Sequence, residues 1–414
     1  MRIKGPGADD TRRRMTGALL TGCLIVAGCG GTPSTPPTAS PTGAAATASA
    51  PASSPSASPA SSVSASPVAG VLIETAAPAG FESKITCSGS IGASDPVAIV
   101  TTQEGSKVEV IMRDYAEVTN PRTVCTFRES RVHLLDARHV MLEPCSAIGT
   151  CAWAIVDLPD VRYHWYGLPT TEDAFDGSLL VAPDLASVAW TEREIVNDDH
   201  IDRTLFVRDA TGDHLVSDLE PVDLGDCGPP VITVAAFAPV GRYLSVMDRY
   251  EIGQLYIVGG HDLEQRLDSV DSAVWSPTSS TLYFGKSNDV FQWTPDGGAT
   301  VLRRDLQWKH PTISPNGRSL AYSTPNGHGG HDIYIADPAH LDQARRIAEN
   351  ASRPVFLNNA RLWYMTEGTS GCGGEEVPPR EMVYNLTTST AATTVITDVL
   401  SVWPATTSGS ELGF

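Results

Sequence analysis

The sequence predicts an all-β fold made of repeated units that each contain three or four short strands. The clearest unit has an apolar strand at 311–314, a Pro-Asn-Gly turn at 315–317, an alternating strand at 318–322 and, after a glycine loop, a strand at 332–337. The same order recurs elsewhere, with turn positions at 135, 183, 239, 277, 315 and 357. A period of roughly 40 residues with this many strands is typical of a β-propeller.

The N-terminus has the pattern of an export signal. Three arginines at 12–14 precede an uncharged apolar stretch at 15–28, which is too short to span a bilayer as a helix. Its end, Val-Ala-Gly-Cys at 26–29, resembles a bacterial lipobox, which implies cleavage after residue 28 and lipidation of Cys29. A second box that ends at Cys23 also fits, and an ordinary cleaved signal is the other alternative.

A tether is predicted between this signal and the folded part. Residues 30–70 consist almost entirely of Ser, Thr, Ala, Pro and Gly and carry no charge, so they cannot offset ordering entropy by burying apolar surface. We therefore predict a signal peptide at 1–28, a lipidated disordered tether at 29–75 and a propeller domain at 80–414. A lipid anchor would place that domain at the outer face of the bacterial cell membrane.

Six further cysteines follow the predicted lipidation site, and an even number in an exported chain favours disulfides. They are Cys87, Cys125, Cys145, Cys151, Cys227 and Cys372. A local bridge between Cys145 and Cys151 is the first expectation, since five residues separate them between two strand-like runs. The pairs Cys87–Cys125 and Cys227–Cys372 would then follow, although fifteen pairings are formally possible. The spacings do not fit a zinc site.

The last strand-like run predicts how the ring closes. Residues 401–404 imitate the first strand of the unit at 273–277, but the remaining strands of a blade do not follow them. Three strand-like runs at 97–102, 108–113 and 124–128 could complete it. Six full repeats and one blade shared between both ends make seven blades, which removes exposed sheet edges. Six blades is the alternative.

The repeats resemble the WD40-like propeller repeats of the TolB family. In that family an apolar-Pro-x-apolar-Ser-Pro-Asp/Asn-Gly turn precedes an Asp-apolar-Tyr strand. Residues 310–337 match this pattern closely, 231–258 and 272–293 match it moderately, and the resemblance extends over about 130–400. It implies a propeller fold and commonly a protein-interaction role. It transfers no catalytic residue, since the usual turn aspartate is replaced by Asn316, Thr278 and Val240 in three units.

Charge and motifs restrict the function classes. With 48 acidic against 29 basic residues the formal net charge is −19, which disfavours nucleic acid as a partner. The sequence contains no GxSxG, SxxK or HExxH motif, no P-loop and no dinucleotide-binding fingerprint. We therefore predict a protein without enzymatic activity and without a cofactor.

Two polar groups of residues could hold a metal ion, but exposed loops explain both more simply. The first is His328, His331 and Asp332, on a glycine-rich loop. The second is an acidic insertion that includes Asp198, Asp199 and Asp202; it has oxygen ligands of the kind calcium uses, without the EF-hand spacing. No metal site is assigned on this basis.

The sequence thus predicts a monomeric, lipid-anchored propeller that binds another envelope protein, a peptide or a glycan. The radial blades of a propeller present loop-lined faces and a central channel that can bind a partner without chemistry of their own. The alternative is an enzyme, a lyase or a hydrolase, with its site in the channel. Charged or aromatic residues from several blades at one mouth of the channel, with a metal or perturbed carboxylates, would favour that alternative.

Overall fold

The computed structural model of the chain describes the folded part in segments. They are residues 71–77, 85–88, 95–104, 107–128, 130–135, 139–144, 153–158, 160–169, 175–197, 200–219, 221–223, 233–239, 242–248, 253–368, 378–394, 399–404 and 409–412. All of them belong to one compact unit, Val63–Phe414. The predicted lipidation site and most of the predicted tether lie outside the described residues.

The described residues form strands throughout, with a single 3-10 turn at Leu341–Gln343. In chain order the first strands are β1 (Ile85–Cys87), β2 (Val97–Glu104), β3 (Lys107–Asp114), β4 (Arg122–Phe127), β5 (Ser130–Leu134), β6 (His139–Pro144), β7 (Trp153–Asp157), β8 (Arg162–Tyr166), β9 (Phe175–Val181), β10 (Val188–Asn197), β11 (His200–Asp209), β12 (Gly212–Asp218), β13 (Val222–Asp223), β14 (Thr233–Phe237) and β15 (Tyr243–Asp248). They are followed by β16 (Gln254–Gly259), β17 (Asp262–Asp268), β18 (Val270–Trp275), β19 (Leu282–Lys286), β20 (Asp289–Thr294), β21 (Gly298–Arg303), β22 (Lys309–Ile313), β23 (Leu320–Pro325), β24 (His331–Ala336), β25 (Arg345–Ala348), β26 (Ala351–Asn358), β27 (Arg361–Thr366), β28 (Glu381–Asn385), β29 (Thr390–Thr393), β30 (Val399–Pro404) and β31 (Gly409–Leu412).

These strands pair into seven antiparallel sheets, which are the blades of a propeller. Blades 1 to 6 begin with the inner strands β5, β9, β14, β18, β22 and β26, and each continues outward through the next three strands of the chain. Strand β13 adds to blade 2 through β11. The prediction of seven blades is confirmed, and the alternative of six is wrong.

Blade 7 is built from both ends of the domain, as predicted. Its strand order is β30, β2, β3, β4 and β1 from the inside outward. Strand β30 runs antiparallel to β2, with Pro404 opposite Ala98 and Val399 opposite Thr102. The first and last parts of the ring are therefore held together by a strand ladder.

The turn in the clearest repeat shows why its residue types recur. Gly317 has a φ of 71°, which glycine adopts readily, and its N–H donates to the Ser314 carbonyl over 2.7 Å. The Asn316 side-chain oxygen accepts from the Ser314 hydroxyl and from the Arg318 N–H, at 2.8 and 3.1 Å. The backbone N–H of Asn316 donates to the side chain of Asn359 over 2.8 Å. The turn thus also joins blade 5 to blade 6.

The core is divided into apolar clusters that contain residues of neighbouring blades. Tryptophans supply much of this volume: Trp308 and Trp363 are each 1% exposed. Trp275 of blade 4 packs edge-on against Trp293. The indole N–H of Trp275 donates to the Ser245 hydroxyl of blade 3 over 2.9 Å. Large aromatic side chains therefore fill the seams between blades, where the sheet faces diverge outward.

Two pairs of buried charged residues also lie in these seams. Arg203 of β11 pairs with Asp248 of β15 over 3.2 Å, and both side chains are almost fully buried. Between blades 6 and 7, Glu381 accepts hydrogen bonds from Thr394 and Trp363 and lies 3.8 Å from Arg113. Burial raises the pKa of Glu381. The first of these pairs joins blades 2 and 3.

Described residues that precede β1 pack against the propeller. Val71 and Leu72, inside the predicted tether, are buried in the cluster that contains Trp153 and Trp190. The N–H of Thr75 donates to the Trp165 carbonyl over 2.9 Å. These apolar side chains reach the seam of blades 1 and 2.

One predicted disulfide falls on described residues. Cys87 of β1 is bonded to Cys125 of β4, and the two residues are directly opposite each other in the strand pair. The bridge ties the fifth, outermost strand of blade 7 to the rest of that sheet. Cys145, Cys151, Cys227 and Cys372 lie outside the described residues, so their pairing stays a prediction.

Candidate functional site

Charged side chains lie on three consecutive inner strands of the ring. Asp271 on β18, His310 on β22 and Arg353 on β26 are the second or third residue of their strands, and all three are exposed. Strand β22 contacts both β18 and β26. Because outer strands and neighbouring blades cover the other sides of an inner strand, its exposed side chains face the channel.

The backbone is irregular at the same three places. Each inner strand shifts its register against the second strand of its blade, between Val270 and Ser272, between Lys309 and Thr312, and between Ser352 and Val355. His310 and Arg353 have φ values of 48° and 55°, a left-handed conformation that costs a residue with a side chain about 1–3 kcal/mol.

Both left-handed residues precede a proline, Pro311 or Pro354. Proline cannot donate to the strand ladder, so it breaks the pairing where the charged residue turns toward the channel. Backbone conformations of this cost are found most often at functional sites. The repeated bulge therefore makes this end of the inner strands a candidate binding site.

Two cationic side chains lie among the described residues of this site. The Lys309 ammonium lies 3.9 Å from the Asp271 carboxylate, and both side chains remain partly exposed. His310 Nδ1 lies 3.2 Å from the Ser323 hydroxyl, which donates to the Lys309 carbonyl. Among the described residues at these three bulges, Lys309 and Arg353 are cationic and Asp271 is anionic, in a chain whose net charge is −19.

An extended segment already pairs with an inner strand elsewhere in the ring. Strand β31 runs antiparallel along the inner edge of β14, with Gly409 opposite Ala236 and Leu412 opposite Thr233. It also contacts β5 of blade 1. The inner edge of blade 3 thus accepts an added strand through backbone pairing, and that strand lies toward the channel.

The glycine-rich loop proposed from the sequence does not gather its residues around one point. His331 Nδ1 lies 2.7 Å from Glu367, whereas Asp332 accepts from Arg346 and Asn326. Burial raises the pKa of Asp332, but these hydrogen bonds outweigh it and the pKa is lowered. His328 is exposed, and its N–H bonds to Asn326. These contacts hold the loop between blades 5 and 6.

The acidic insertion is described in part. Asp202 is exposed and lies 2.9 Å from His200 Nε2. Asp198 and Asp199 lie outside the described residues. The turn positions 183 and 239 are the most widely spaced of the six. Strands β10 and β11, which lie between them, are ten residues each and extend beyond the other strands of blade 2.

Among the described residues, one group that could hold a metal ion was not indicated by any sequence motif. Asp209, His214 and His261 place one donor atom each within 4.8 Å of the others. Asp209 and His214 flank the outer turn of blade 2, and His261 lies in the outer turn of blade 3. Burial raises the pKa of Asp209, but hydrogen bonds from Thr211 and both histidines outweigh it and lower the pKa. The sequence signal that could have indicated this group is a histidine in or beside the same outer turn of two adjacent repeats.

Comparisons with known proteins concern the fold. The chain is similar to the crystal structure of TolB from Acinetobacter baumannii, with 14% identity and a TM-score of 0.41 over 74% of this chain and 66% of that one. It is also similar to an acylaminoacyl peptidase from Pyrococcus horikoshii, with 11% identity and a TM-score of 0.44 over 77% of this chain and 51% of that one. An oligogalacturonate lyase in complex with manganese gives 14% identity and a TM-score of 0.39 over 73% and 85%.

No protein-family model matches the sequence, and no curated protein matches it significantly. The chain spans about two thirds of the TolB structure and half of the peptidase. The seven-bladed architecture follows from the strand pairing of the chain itself. Among the described residues, no helix is long and apolar enough to cross a membrane.

Proposed function

We propose that this protein is an exported, lipid-anchored propeller that binds a partner without catalysing a reaction, and that its channel binds an acidic, extended segment of an envelope protein. The observation that carries the proposal is the set of exposed charged residues at the bulges of β18, β22 and β26. Register shifts recur on three adjacent inner strands, and two of them place a charged residue in the left-handed region, a conformation that clusters at functional sites.

The charge of the site favours an acidic ligand. Among the described residues at the three bulges, Lys309 and Arg353 are cationic, His310 is a titratable group and Asp271 is anionic. The rest of the surface is strongly acidic and repels an anionic partner, so a basic channel would orient that partner toward the inner strands.

The pairing of β31 with β14 favours an extended peptide. Strand addition to a free edge gives affinity through the backbone, while side chains near that edge give specificity. Here the edge of β14 already holds a strand of the same chain, and inner strands with similar edges surround the channel. A partner segment would bind in the same way beside the basic residues.

The alternative function is that of a lyase or hydrolase with its site in the channel. Such an enzyme needs a carboxyl group or another acid–base group of shifted pKa that reaches the substrate. Among the described carboxyl groups, Glu381 has a raised pKa, but its side chain is 0% exposed between blades 6 and 7. This burial favours a structural role for Glu381, and it supports the binding function.

Charge reversal in the channel tests the binding function. We expect the Lys309→Glu/Arg353→Glu double variant to bind a fluorescent oligoglutamate peptide about tenfold or more weakly than the unaltered protein, because two attractive charges become repulsive. Fluorescence anisotropy at low ionic strength measures the dissociation constant. The difference between the two proteins should shrink as salt is added.

A matched control is the Arg304→Glu/Arg318→Glu variant, which makes the same change in net charge. Both arginines are exposed in blades 4 and 5 but lie outside the inner strands. Equal binding by the two double variants would contradict a channel site. Tighter binding of an oligouronate of equal charge would point to a glycan, and failure to bind either probe would overturn the proposal.

The location of the protein is tested at Cys29. We expect the Cys29→Ala variant to leave the membrane fraction and to lose the mass of the lipid, because the substitution removes the thiol on which the proposed thioether forms. Cell fractionation and intact-mass analysis are the measurements. The matched control is Cys23→Ala, which should stay in the membrane; the opposite pattern would move the lipid to Cys23, and retention of both would rule out lipid anchoring at either box.

A further inference from the structure

Blades 2 and 3 bring two histidines and one aspartate together on the outer part of the ring. Asp209 is the last residue of β11, and His214 lies two residues into β12. His261 lies between β16 and β17, in the equivalent turn of the next blade. The three residues therefore meet across a seam, and they are separate from the inner strands of blades 4 to 6.

Both histidines approach the same carboxylate. His261 Nδ1 lies 3.0 Å from Oδ2 of Asp209, and His214 Nε2 lies 3.3 Å from Oδ1. The two imidazole rings are stacked, with centroids 3.8 Å apart and planes at 13°. Small adjustments of these side chains would let all three donor atoms lie roughly 2 Å from one shared metal ion, the distance at which nitrogen and oxygen ligands bind zinc.

The neighbouring residues hold the carboxylate in place. Thr211 donates to Asp209 Oδ1 through its hydroxyl at 2.5 Å and through its backbone N–H at 2.7 Å. Asp213, a neighbouring carboxylate, accepts hydrogen bonds from Nε and Nη2 of Arg208. A ligand carboxylate that is oriented by hydrogen bonds is typical of metal sites in proteins.

We propose that Asp209, His214 and His261 bind a divalent transition-metal ion of the zinc class across the seam between blades 2 and 3. Two imidazoles and one carboxylate suit zinc and similar ions, whereas calcium and magnesium prefer oxygen ligands alone. The three side chains are 21–38% exposed, so an ion can enter from solvent and water can complete the coordination. The bound ion would link the outer turns of the two blades.

The test uses the purified untagged protein after removal of metal with a chelator. Titration with zinc alone, followed by calorimetry, should show one ion bound per chain, and zinc should raise the melting temperature. Titration with cobalt should give the visible absorption of a nitrogen- and oxygen-ligated ion. Calcium and magnesium should produce neither the heat nor the thermal shift, because the site has two nitrogen ligands.

Three variants assign the binding to these residues. His214→Ala, His261→Ala and Asp209→Asn should each weaken zinc binding at least tenfold and abolish the zinc-dependent thermal shift. The matched control is His340→Ala, which removes an exposed histidine that lies near Asp337 in blade 5; it should bind zinc as the unaltered protein does.

Melting of the metal-free variants shows whether they fold. If the three variants fold and bind zinc like the control, or if the unaltered protein does not bind zinc, the proposal is wrong. In that case the three residues form a hydrogen-bonded cluster that only joins the two blades. This result would leave the channel proposal untouched, because the oligoglutamate measurement concerns other residues in other blades.

Discussion

A chain that ends at Thr397 is expected to aggregate or to melt roughly 10–20 °C below the full-length chain. The truncation removes β30, which forms the inner strand of blade 7 and pairs with β2 at five positions from Ala98 to Thr102. With a net contribution of about 1 kcal/mol for each hydrogen bond, the loss is on the order of 5 kcal/mol. Each kcal/mol shifts the melting temperature of a large domain by about 2–4 °C.

The exposed edge of β2 adds to this effect. Val97, Ala98, Ile99 and Val100 are at most 2% exposed in the intact ring, and an apolar strand with an open edge invites pairing between molecules. Circular dichroism melting and size-exclusion chromatography are the measurements.

The control is a chain that ends at Pro404, which lacks β31 but keeps β30. It should remain monomeric and lose less stability, because blade 3 keeps its four other strands. If the chain that ends at Thr397 melts like the full-length chain, β30 does not close the ring.

The Arg203→Ala variant is expected to lose about 3–5 kcal/mol of unfolding free energy. Its side chain is 2% exposed and that of Asp248 is 1% exposed, so the substitution leaves a buried carboxylate without its cation. Because β11 and β15 belong to adjacent blades, the loss falls on the seam between them. Equilibrium unfolding in urea measures the change.

Replacement of both partners separates the cost of an unpaired charge from the value of the pair. The Arg203→Met/Asp248→Leu variant should lie within about 1 kcal/mol of the unaltered protein or be more stable. Arg162→Ala is the matched surface control, since Arg162 and Asp160 are 74% and 66% exposed and such pairs contribute about 0–1 kcal/mol. A loss at Arg203 no larger than at Arg162 would show that the buried pair is not needed for stability.

Much of the fold follows from local chemistry and was therefore predictable. The Ser-Pro-Asn-Gly turn around Gly317 needs a left-handed glycine and a side chain that bonds its own backbone, and both requirements are visible in the sequence. The copy of this pattern near Trp403 was enough to predict that β30 completes a blade with N-terminal strands. The burial of Val71 and Leu72 is visible only in the structure, because the apolar run at 71–73 is too short to form a periodic pattern.

The candidate sites depend on which residues meet when the ring closes. His310 and Arg353 are ordinary charged residues before a proline in the sequence, and only the bulges of adjacent inner strands direct them to the channel. Likewise, Asp209 and His261 are 52 residues apart and belong to separate repeats.

Strand alternation and turn chemistry act over a few residues, so the sequence by itself determined the repeats, their order and the shared blade. The contacts across the seams arise from the rotation of one blade against the next, which no local pattern encodes. For this reason only the tertiary structure decided that the basic residues lie on adjacent inner strands and that two histidines share one aspartate.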